Sequence, residues 1–294
     1  VRFENPAGLT GVWAEENTRA SLFESMKRKE TFATSGPRIQ LRFFASWDYA
    51  NDKKAEQSRP VLWGVVPDWL KDRYWVKTAY AQGVPMGGDL PPLTAGKGAP
   101  SFAVWAVKDP TSGNLDRIQI VKGWSKSGQS FEKVFDVVWA GERQPNPLTG
   151  RVPAIGSTVD LKQATYQNTI GATELKAVWT DPEFNPGDDA FYYARAIEIP
   201  TPRWTTIQAK ELGISPPGIV APTVQERAWS SPIWYAPTTG QRQAVQEGTT
   251  EANLKKQGAV ALNETALKDL VVGKFTWIRN RVTGGVFKVQ WAKD

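Results

Sequence analysis

The sequence lacks both histidine and cysteine among its 294 residues. The chain itself therefore has no means of forming a Ser-His-Asp triad, a cysteine nucleophile, a histidine general base, or a zinc or haem site built from His or Cys ligands. Disulfide bonds are excluded as well, so cysteine usage identifies no redox compartment. Catalysis by this chain would have to use carboxylates, Lys, Arg, Tyr, Ser or Thr. We predict neither a catalytic residue nor a metal ligand within it.

Long apolar runs and a strong charge of one sign are also lacking. The apolar run Val61–Val66 is stopped by Pro67 and Asp68, which leaves it too short to cross a bilayer. The 36 Lys and Arg residues exceed the 30 Asp and Glu residues only mildly, giving a net charge of +6. The basic residues are scattered rather than arranged as a stripe. We therefore predict no membrane span and no nucleic-acid binding.

Both ends of the chain read like the interior of a longer sequence. The chain starts at Val1, without Met and without a signal peptide. It stops at Asp294 within a stretch that resembles a strand. We expect a fragment or a processed product.

The first 37 residues predict one helix followed by a turn. Asn17 or Thr18 can cap the helix, which ends near Lys29. Its apolar stripe comprises Leu22, Phe23 and Met26. Residues 32–37 then predict a turn, after which the pattern changes from helical to alternating.

The middle of the chain predicts many short strands separated by turns rich in Gly and Pro, a pattern typical of a β-sandwich. The predicted strands are 38–43, 102–108, 117–121, 133–139, 175–180, 191–199 and 228–235. The turn-rich stretches are 83–100, 143–156, 180–189 and 200–222. We read 38–237 as one β-sandwich domain and 238–250 as a polar linker. Residues 251–294 predict an incomplete small α+β domain, with a helix capped by Asn263 and a hairpin of 274–279 and 286–291.

The 14 tryptophans allow two interpretations. An exposed row on a β-sandwich would indicate glycan binding, whereas tryptophans between two sheets fill the core and seal corners. Apolar strands contain Trp105, Trp139 and Trp179, which we assign to the core. Exposure is more plausible in the loop-like region that contains Trp47, Trp63, Trp69 and Trp75. Core or corner packing is favoured overall.

Three further strings have both a functional and a structural interpretation. Residues 200–206 and 225–232 place Arg beside Trp, which suits an anion or an aromatic ligand but also suits a structural corner. Residues 181–189 alternate oxygen-bearing side chains as a calcium loop does. The glycine of this string is one place late, however, and its twelfth position is Tyr192 rather than Glu. A plain acidic turn is favoured.

Five strings occur in an order that resembles a known family. They are residues 5–19, 31–39, 83–90, 114–123 and 225–235. Together they resemble the C-terminal half of the bacterial domain-of-unknown-function family 3604, from about Glu4 to Tyr235. Members of that family are large, usually exported proteins. Their N-terminal half resembles the polymerase-and-histidinol-phosphatase (PHP) metallohydrolases.

The resemblance implies a specific arrangement of the parent protein. His and Asp residues that bind divalent metal would lie upstream of this chain, and no metal ligand carries over to it. Residues 1–37 would supply the closing helix of a PHP-like β/α barrel, followed by the mainly β sandwich and a partial small α+β domain. The implied function is that of a periplasmic or extracellular metal-dependent hydrolase of phosphate or sulfate esters. This chain would be inactive without the upstream half.

The candidate substrate-binding residues come from the matched strings 31–39 and 225–235 and from the string 200–206, which places Arg beside Trp. They are Ser35, Arg38, Arg203, Trp204, Arg227 and Trp229. The alternative function is a non-catalytic sandwich that binds a glycan or cell-surface polymer through exposed tryptophans. Mostly buried tryptophans would favour the hydrolase, and a flat exposed row would favour the binding module.

Overall fold

Antiparallel β-strands dominate the structure. A computed structural model describes residues 8–49, 63–126, 128–146, 148–248, 275–279 and 286–290. One sheet has seven strands, in the order β1 (Leu9–Val12), β2 (Thr31–Thr34), β12 (Arg227–Ser230), β9 (Asp189–Glu198), β6 (Leu115–Lys126) and β7 (Gln129–Trp139), with β13 (Ile233–Tyr235) also paired to β9. The other has four, in the order β4 (Val84–Pro85), β3 (Gln40–Ser46), β5 (Ser101–Val107) and β8 (Glu174–Thr180). The predicted mainly β fold is confirmed, and the paired strands of both sheets run antiparallel.

Short elements complete the described chain. Two small sheets pair β10 (Thr201–Pro202) with β11 (Thr223–Val224), and β14 (Phe275–Arg279) with β15 (Val286–Gln290). The helices are α1 (Arg19–Lys27), α2 (Asp68–Lys71), α3 (Trp75–Gln82), α4 (Trp204–Glu211) and α5 (Thr239–Gly248). None of the helices in the described ranges combines the length and the apolarity that crossing a bilayer requires.

The two larger sheets face each other across one core. Because successive side chains of a strand point to opposite faces, Phe102 and Val104 of β5 lie inward and are fully buried. They belong to one apolar cluster with Tyr192 and Ala194 of β9. The rings of Phe102 and Tyr192 lie 4.4 Å apart, centre to centre, and join the two sheets.

The other face of the four-stranded sheet is covered by helices. Ala103 of β5 and Val178 of β8 belong to a second apolar cluster with Leu70 of α2 and Trp75 of α3. Strand β5 is therefore covered on both faces. This explains why its sequence, Ser101–Val107, is apolar almost throughout instead of alternating.

The strands predicted in the β domain are confirmed, except that one of them is divided into two. The predicted strand 228–235 is two strands, β12 and β13, interrupted at Ser231 and Pro232, because proline lacks the N–H that a ladder needs. The hairpin near the end of the chain is confirmed as strands, with Phe275 opposite Gln290. The predicted helix cap at Asn263 lies outside the described residues.

Other segments differ from their predicted structure. Residues 31–34 form strand β2 rather than a turn, since Phe32 and Thr34 point into the molecule and Ala33 points out. Strands β1 and β2 both join the seven-stranded sheet, so the described part of segment 1–37 is continuous with it. The turn-rich stretch 200–222 contains α4, and the segment interpreted as a linker, 238–250, contains α5.

Helix α1 has the predicted cap but not the expected burial. Thr18 caps it, with its hydroxyl accepting a hydrogen bond from the Ser21 amide at 3.3 Å. The buried residue of the helix is Ser25. Two residues of the predicted apolar stripe point outward instead, Phe23 at 59% exposure and Met26 at 50%.

The tryptophans mostly pack into the molecule. Trp179 is 1% exposed, as assigned, whereas Trp105 and Trp139 are only partly buried. In the region where exposure was more plausible, Trp75 is buried at 8% exposure. The other three, Trp47, Trp63 and Trp69, are partly buried. Core or corner packing is confirmed for these residues.

Candidate functional site

A cavity of about 410 Å³ lies at the end of the seven-stranded sheet where β9 stops and β12 begins. Its size is within the range of small-molecule sites. Several separate segments of the chain converge on it. Its lining residues are Pro37, Ser112, Ala164, Thr165, Tyr166, Thr201, Pro202, Ile207 and Glu226.

A buried carboxylate lies directly behind the wall of this cavity. Glu198 ends strand β9 and is fully buried. Its Oε2 accepts a hydrogen bond from the Ser112 hydroxyl at 2.7 Å. Among the described residues, no group donates a hydrogen bond to its Oε1. A buried carboxylate oxygen without a donor is uncommon, because desolvation of a charged group is costly.

The surroundings of Glu198 favour its neutral form. Burial, the largest effect, raises the pKa of Glu198 from 4.5 to about 7. The charges of Glu226 and Asp109 act in the same direction, and the hydrogen bond from Ser112 acts against it. Burial and then the charge of Glu198 also raise the pKa of the Tyr166 phenol on the cavity wall. Directly behind the cavity wall there is therefore a carboxyl group with a pKa of about 7.

We expect Glu198 to make stability fall as pH rises. Its pKa is higher in the folded chain than the ordinary 4.5, so the folded state holds the proton more tightly between that value and about 7. The free energy of unfolding then decreases across this window, by about 3 kcal/mol at 1.36 kcal/mol per pKa unit. Because Gln does not titrate, the free energy of unfolding of Glu198→Gln should not show this decrease as pH rises. Urea unfolding at pH 5 and pH 8 measures it.

The matched control for this prediction is Glu132→Gln, on an exposed residue of β7. We expect the free energy of unfolding of Glu132→Gln to differ from that of the natural protein by the same amount at pH 5 and at pH 8. The prediction is wrong if the difference in free energy of unfolding between the natural protein and Glu198→Gln is the same at pH 5 and at pH 8.

Ser35 and Arg38, two of the predicted site residues, lie beside the cavity. The Ser35 hydroxyl donates to the carboxylate of Glu226, which lines the cavity. The Ser35 amide donates to the Arg227 carbonyl at 2.9 Å. Arg38 donates its backbone amide to Asp109 Oδ2 at 2.7 Å and leaves its side chain exposed. Ser35 therefore orients a lining carboxylate, and the Arg38 side chain is available at the rim.

Asp109 organises the loop that carries Ser112. Its Oδ1 accepts hydrogen bonds from the amide and the hydroxyl of Thr111, both at 2.8 Å. Burial alone would raise the pKa of Asp109. The hydrogen bonds from Arg38 and Thr111 outweigh burial, so the pKa of Asp109 is lowered. This carboxylate consequently stays charged and holds the loop in place.

Arg203 and Trp204 lie at the start of α4, next to the lining residue Pro202. Arg203 is the residue that precedes the helix, and its amide donates to the Pro222 carbonyl at 2.9 Å. Trp204 is the first residue of the helix and is partly buried. These two residues are therefore adjacent in the chain to a lining residue, but neither of them lines the cavity.

Arg227 and Trp229 belong to a different surface. Both lie on β12, where Trp229 pairs with Arg195 of β9 and with Ala33 of β2. Their neighbour Ala228 points into the core, so Arg227 and Trp229 point to the outer face of the seven-stranded sheet. The six predicted residues are thus divided between the cavity and this outer face.

The acidic string 181–189 is a turn whose carboxylates are engaged. Asp181 Oδ2 lies 2.5 Å from Lys122 Nζ. Asp189 accepts two hydrogen bonds from Arg242, at 2.5 and 2.7 Å. Within the described ranges, no group of three or more His, Cys, Asp or Glu side chains is arranged to hold a metal ion. The engaged carboxylates favour the structural turn.

Sequence reasoning missed four residues of the site: Ser112, Tyr166, Glu198 and Glu226. Glu226 lies in a string that the Arg–Trp pairing had already marked. Glu198 carried one signal, a carboxylate at the end of a strand whose alternate residues are apolar. Ser112 and Tyr166 carried no local signal, because only the folding of distant loops brings them to the cavity.

Fold and site together define an antiparallel two-sheet β protein with a cavity of small-molecule size at one end of the larger sheet. The family model that matches the chain is described as protein of unknown function (DUF3604), and it covers residues 1–237. The chain therefore belongs to the DUF3604 family. No curated protein and no solved structure matches the chain.

Proposed function

We propose that this chain is the substrate-side part of an exported, PHP-like metal-dependent hydrolase of phosphate or sulfate esters. The upstream half of the parent protein would hold the divalent metal ions and is the partner of this chain. The proposal rests on membership of the DUF3604 family and on the family's implied relation to PHP metallohydrolases. The parent would act in the periplasm or outside the cell, and this chain alone would be inactive.

The observation that carries the proposal is the cavity at the end of the seven-stranded sheet. Two arginines directly follow lining prolines in the sequence: Arg38 after Pro37 and Arg203 after Pro202. The exposed guanidinium group of Arg38 suits the charge that develops on ester oxygens during hydrolysis. A metal ion supplies an activated water for such a reaction. The chain's own contribution would be to bind and orient the ester.

The outward stripe of α1 supports a contact with the upstream half. Phe23 and Met26 are half exposed, whereas Ser25 on the other side of the helix is buried. Large apolar side chains that are exposed together mark a surface that another structure covers. We propose that this stripe packs against the barrel that the helix would close.

The glycan-binding alternative requires a flat row of exposed tryptophans. Among the tryptophans whose side chains the structure describes, Trp234 alone is classed as exposed, at 44%. The others pack wholly or partly against their neighbours. This distribution favours the hydrolase over a binding module that depends on a tryptophan row.

We expect the parent protein to hydrolyse esters only with metal, and Arg38 to help it bind the substrate. The assay uses p-nitrophenyl phosphate, p-nitrophenyl sulfate and their sugar-ester counterparts. Loss of one charged hydrogen bond to the ester, about 1.5–3 kcal/mol, predicts that Arg38→Gln lowers kcat/KM by about 10- to 100-fold. The matched control, Arg73→Gln, removes an exposed arginine between α2 and α3 and should change nothing. Equal effects of the two substitutions would contradict the role of Arg38.

A further inference from the structure

The outer face of the seven-stranded sheet carries a cluster of basic and aromatic side chains where β9 and β12 pair. Its central members are Arg195, Arg227 and Trp229, here called the basic face. Trp229 lies directly opposite Arg195, and Arg227 lies opposite Ile197, two residues further along β9. Directly paired residues of antiparallel strands point to the same side. The basic face therefore points away from the core.

The guanidinium of Arg195 is fixed in place without a carboxylate partner. Its Nε and one terminal nitrogen both donate to Gln119 Oε1, at 2.8 and 2.6 Å. Gln119 is itself held, because its Nε2 donates to Asp136 Oδ1 at 2.6 Å. A neutral amide oxygen therefore orients the cation and leaves its charge uncompensated at the point of contact.

Other arginines on this side of the sheet are paired. Arg117 lies 3.4 Å and Arg151 lies 3.2 Å from Asp136 Oδ2. Within the part of the chain that the structure describes, no such ion pair involves Arg195 or Arg227. The carboxylate of Asp136 is consequently engaged by the arginines beside the basic face, and Glu132 is a further carboxylate whose charge acts on Arg195, although the described residues show no ion pair between the two. The two arginines of the basic face outnumber this carboxylate, so the face is positive.

The charges that surround Arg195 are consistent with a positively charged basic face. Burial lowers the pKa of the Arg195 guanidinium, and the nearby charges of Arg227 and Arg151 lower it further. Tyr193 and Glu132 act in the opposite direction. Mutual repulsion of cations at a fixed site would be relieved by a bound anion.

Aromatic side chains continue the surface along β9. Tyr193 precedes Arg195 by two residues and is partly buried, and Phe191 precedes Tyr193 by two. The ring of Phe191 lies 5.1 Å from the ring of the exposed Trp234. Aromatic faces beside guanidinium groups suit a ligand that presents both apolar ring surface and anionic groups.

We propose that the basic face binds a sulfated glycan chain, with sulfate groups held by Arg195 and Arg227 and a sugar ring lying against Trp229. Diagonal neighbours on an antiparallel pair are roughly 7–8 Å apart, which allows the two arginines to hold successive sulfates or to share one. Guanidinium groups bind such oxyanions in a bidentate manner. This surface is distinct from the cavity, and the proposal does not depend on ester hydrolysis.

A single-stranded nucleic acid is the less suitable occupant. Sites for it combine a continuous positive groove that follows the backbone with exposed aromatic platforms for successive bases. Here the two unpaired arginines occupy one patch, and Trp229 and Tyr193 are only partly exposed. Preferential binding of nucleic acid to the basic face would therefore overturn the proposal.

The test measures binding of the 294-residue chain to dextran sulfate and to neutral dextran, which share one backbone. Isothermal titration at low salt should detect binding to dextran sulfate and none to dextran. Arg227→Gln changes an exposed side chain and should leave the melting temperature unchanged. It should weaken binding by about tenfold, the loss of one charge-assisted contact. Arg195→Gln together with Arg227→Gln should abolish binding, and Arg73→Gln should change it less than about twofold.

Three results would overturn the proposal. One is the absence of binding to dextran sulfate. Another is an equal loss for Arg73→Gln and Arg227→Gln, which would indicate attraction by net charge alone. The third is tighter binding to an oligo-dT strand than to dextran sulfate, weakened by Arg227→Gln, which would assign the face to nucleic acid. Since the binding test does not measure ester hydrolysis, a negative result would not bear on the proposed hydrolase activity, which the ester-hydrolysis assay tests separately.

Discussion

Replacing Asp181 by alanine is expected to lower the free energy of unfolding by about 3–5 kcal/mol, because it leaves a buried cation without its counter-charge. Asp181 Oδ2 lies 2.5 Å from Lys122 Nζ and accepts a hydrogen bond from the Tyr192 hydroxyl at 2.8 Å. Its Oδ1 accepts the Glu183 amide at 2.8 Å. After the substitution, Lys122 would retain the Glu183 carbonyl at 2.8 Å as a partner. Urea unfolding followed by tryptophan fluorescence measures the loss.

The pH dependence of this loss has a defined sign. Burial lowers the pKa of Lys122, and the charge of Asp181 opposes that effect. Without Asp181, the lysine gives up its proton more readily in the folded state. The loss caused by Asp181→Ala should therefore shrink as pH rises.

The matched control is Asp68→Ala, which breaks the exposed pair of Asp68 and Lys71 at 2.8 Å. An exposed pair contributes little, so we expect a change within about 0.5 kcal/mol. Lys122→Met combined with Asp181→Leu should recover part of the loss, because no buried charge remains. Equal effects of Asp181→Ala and Asp68→Ala would contradict the interpretation.

Replacing Trp179 by alanine is expected to cost about 3–5 kcal/mol, the range for removal of a large buried aromatic side chain. Trp179 is 1% exposed, and its ring centre lies 4.8 Å from Phe135 and 5.9 Å from Phe102. The substitution would leave a cavity between the two sheets. Chemical denaturation monitored by far-UV circular dichroism measures the loss.

Trp179→Phe is the matched control for this prediction. It keeps an aromatic ring in the core and removes the indole N–H, which is buried and has no hydrogen-bond acceptor among the described residues. Removing a buried donor without an acceptor is stabilising, and this gain offsets part of the free energy lost with the packing contacts. We expect a clearly smaller cost than for alanine. A cost as large as that of Trp179→Ala would contradict the packing described here.

The strands were predictable because their patterns are set by the faces they cover. Ser101–Val107 has apolar residues on both sides and is covered on both faces, by the other sheet and by α2 with α3. In Asp189–Glu198 the burial alternates, because only one of its faces is in the core, although outward positions such as Phe191 and Tyr193 are aromatic. Such local patterns predict an element before its partners are known.

Elements whose structure depends on distant partners were not predictable. Residues 31–34 resemble a turn by composition, and become a strand because β1 and β12 pair with them on either side. The apolar stripe of α1 resembles a core face, yet two of its side chains, Phe23 and Met26, are exposed. A periodic pattern indicates that a face is apolar and does not identify what covers it.

The cavity could be predicted only in part. Ser35 and Arg38 were found because they lie in a string that resembles a family, and Arg203 was found because it stands beside Trp204. Glu198 acquires its high pKa from burial behind Ser112 and from the charge of Glu226. These partners lie 86 and 28 positions away in the sequence. Proximity of this kind follows from the three-dimensional fold, which no local pattern encodes.

The most direct test of the central claim is the ester-hydrolysis assay on the parent protein, with metal removed by a chelator and then restored. We expect hydrolysis of phosphate or sulfate esters that disappears without metal and returns with Mn²⁺, Zn²⁺ or Mg²⁺. We also expect no activity from the 294-residue chain alone. The absence of metal-dependent hydrolysis across the ester panel, in intact parent protein, would contradict the account.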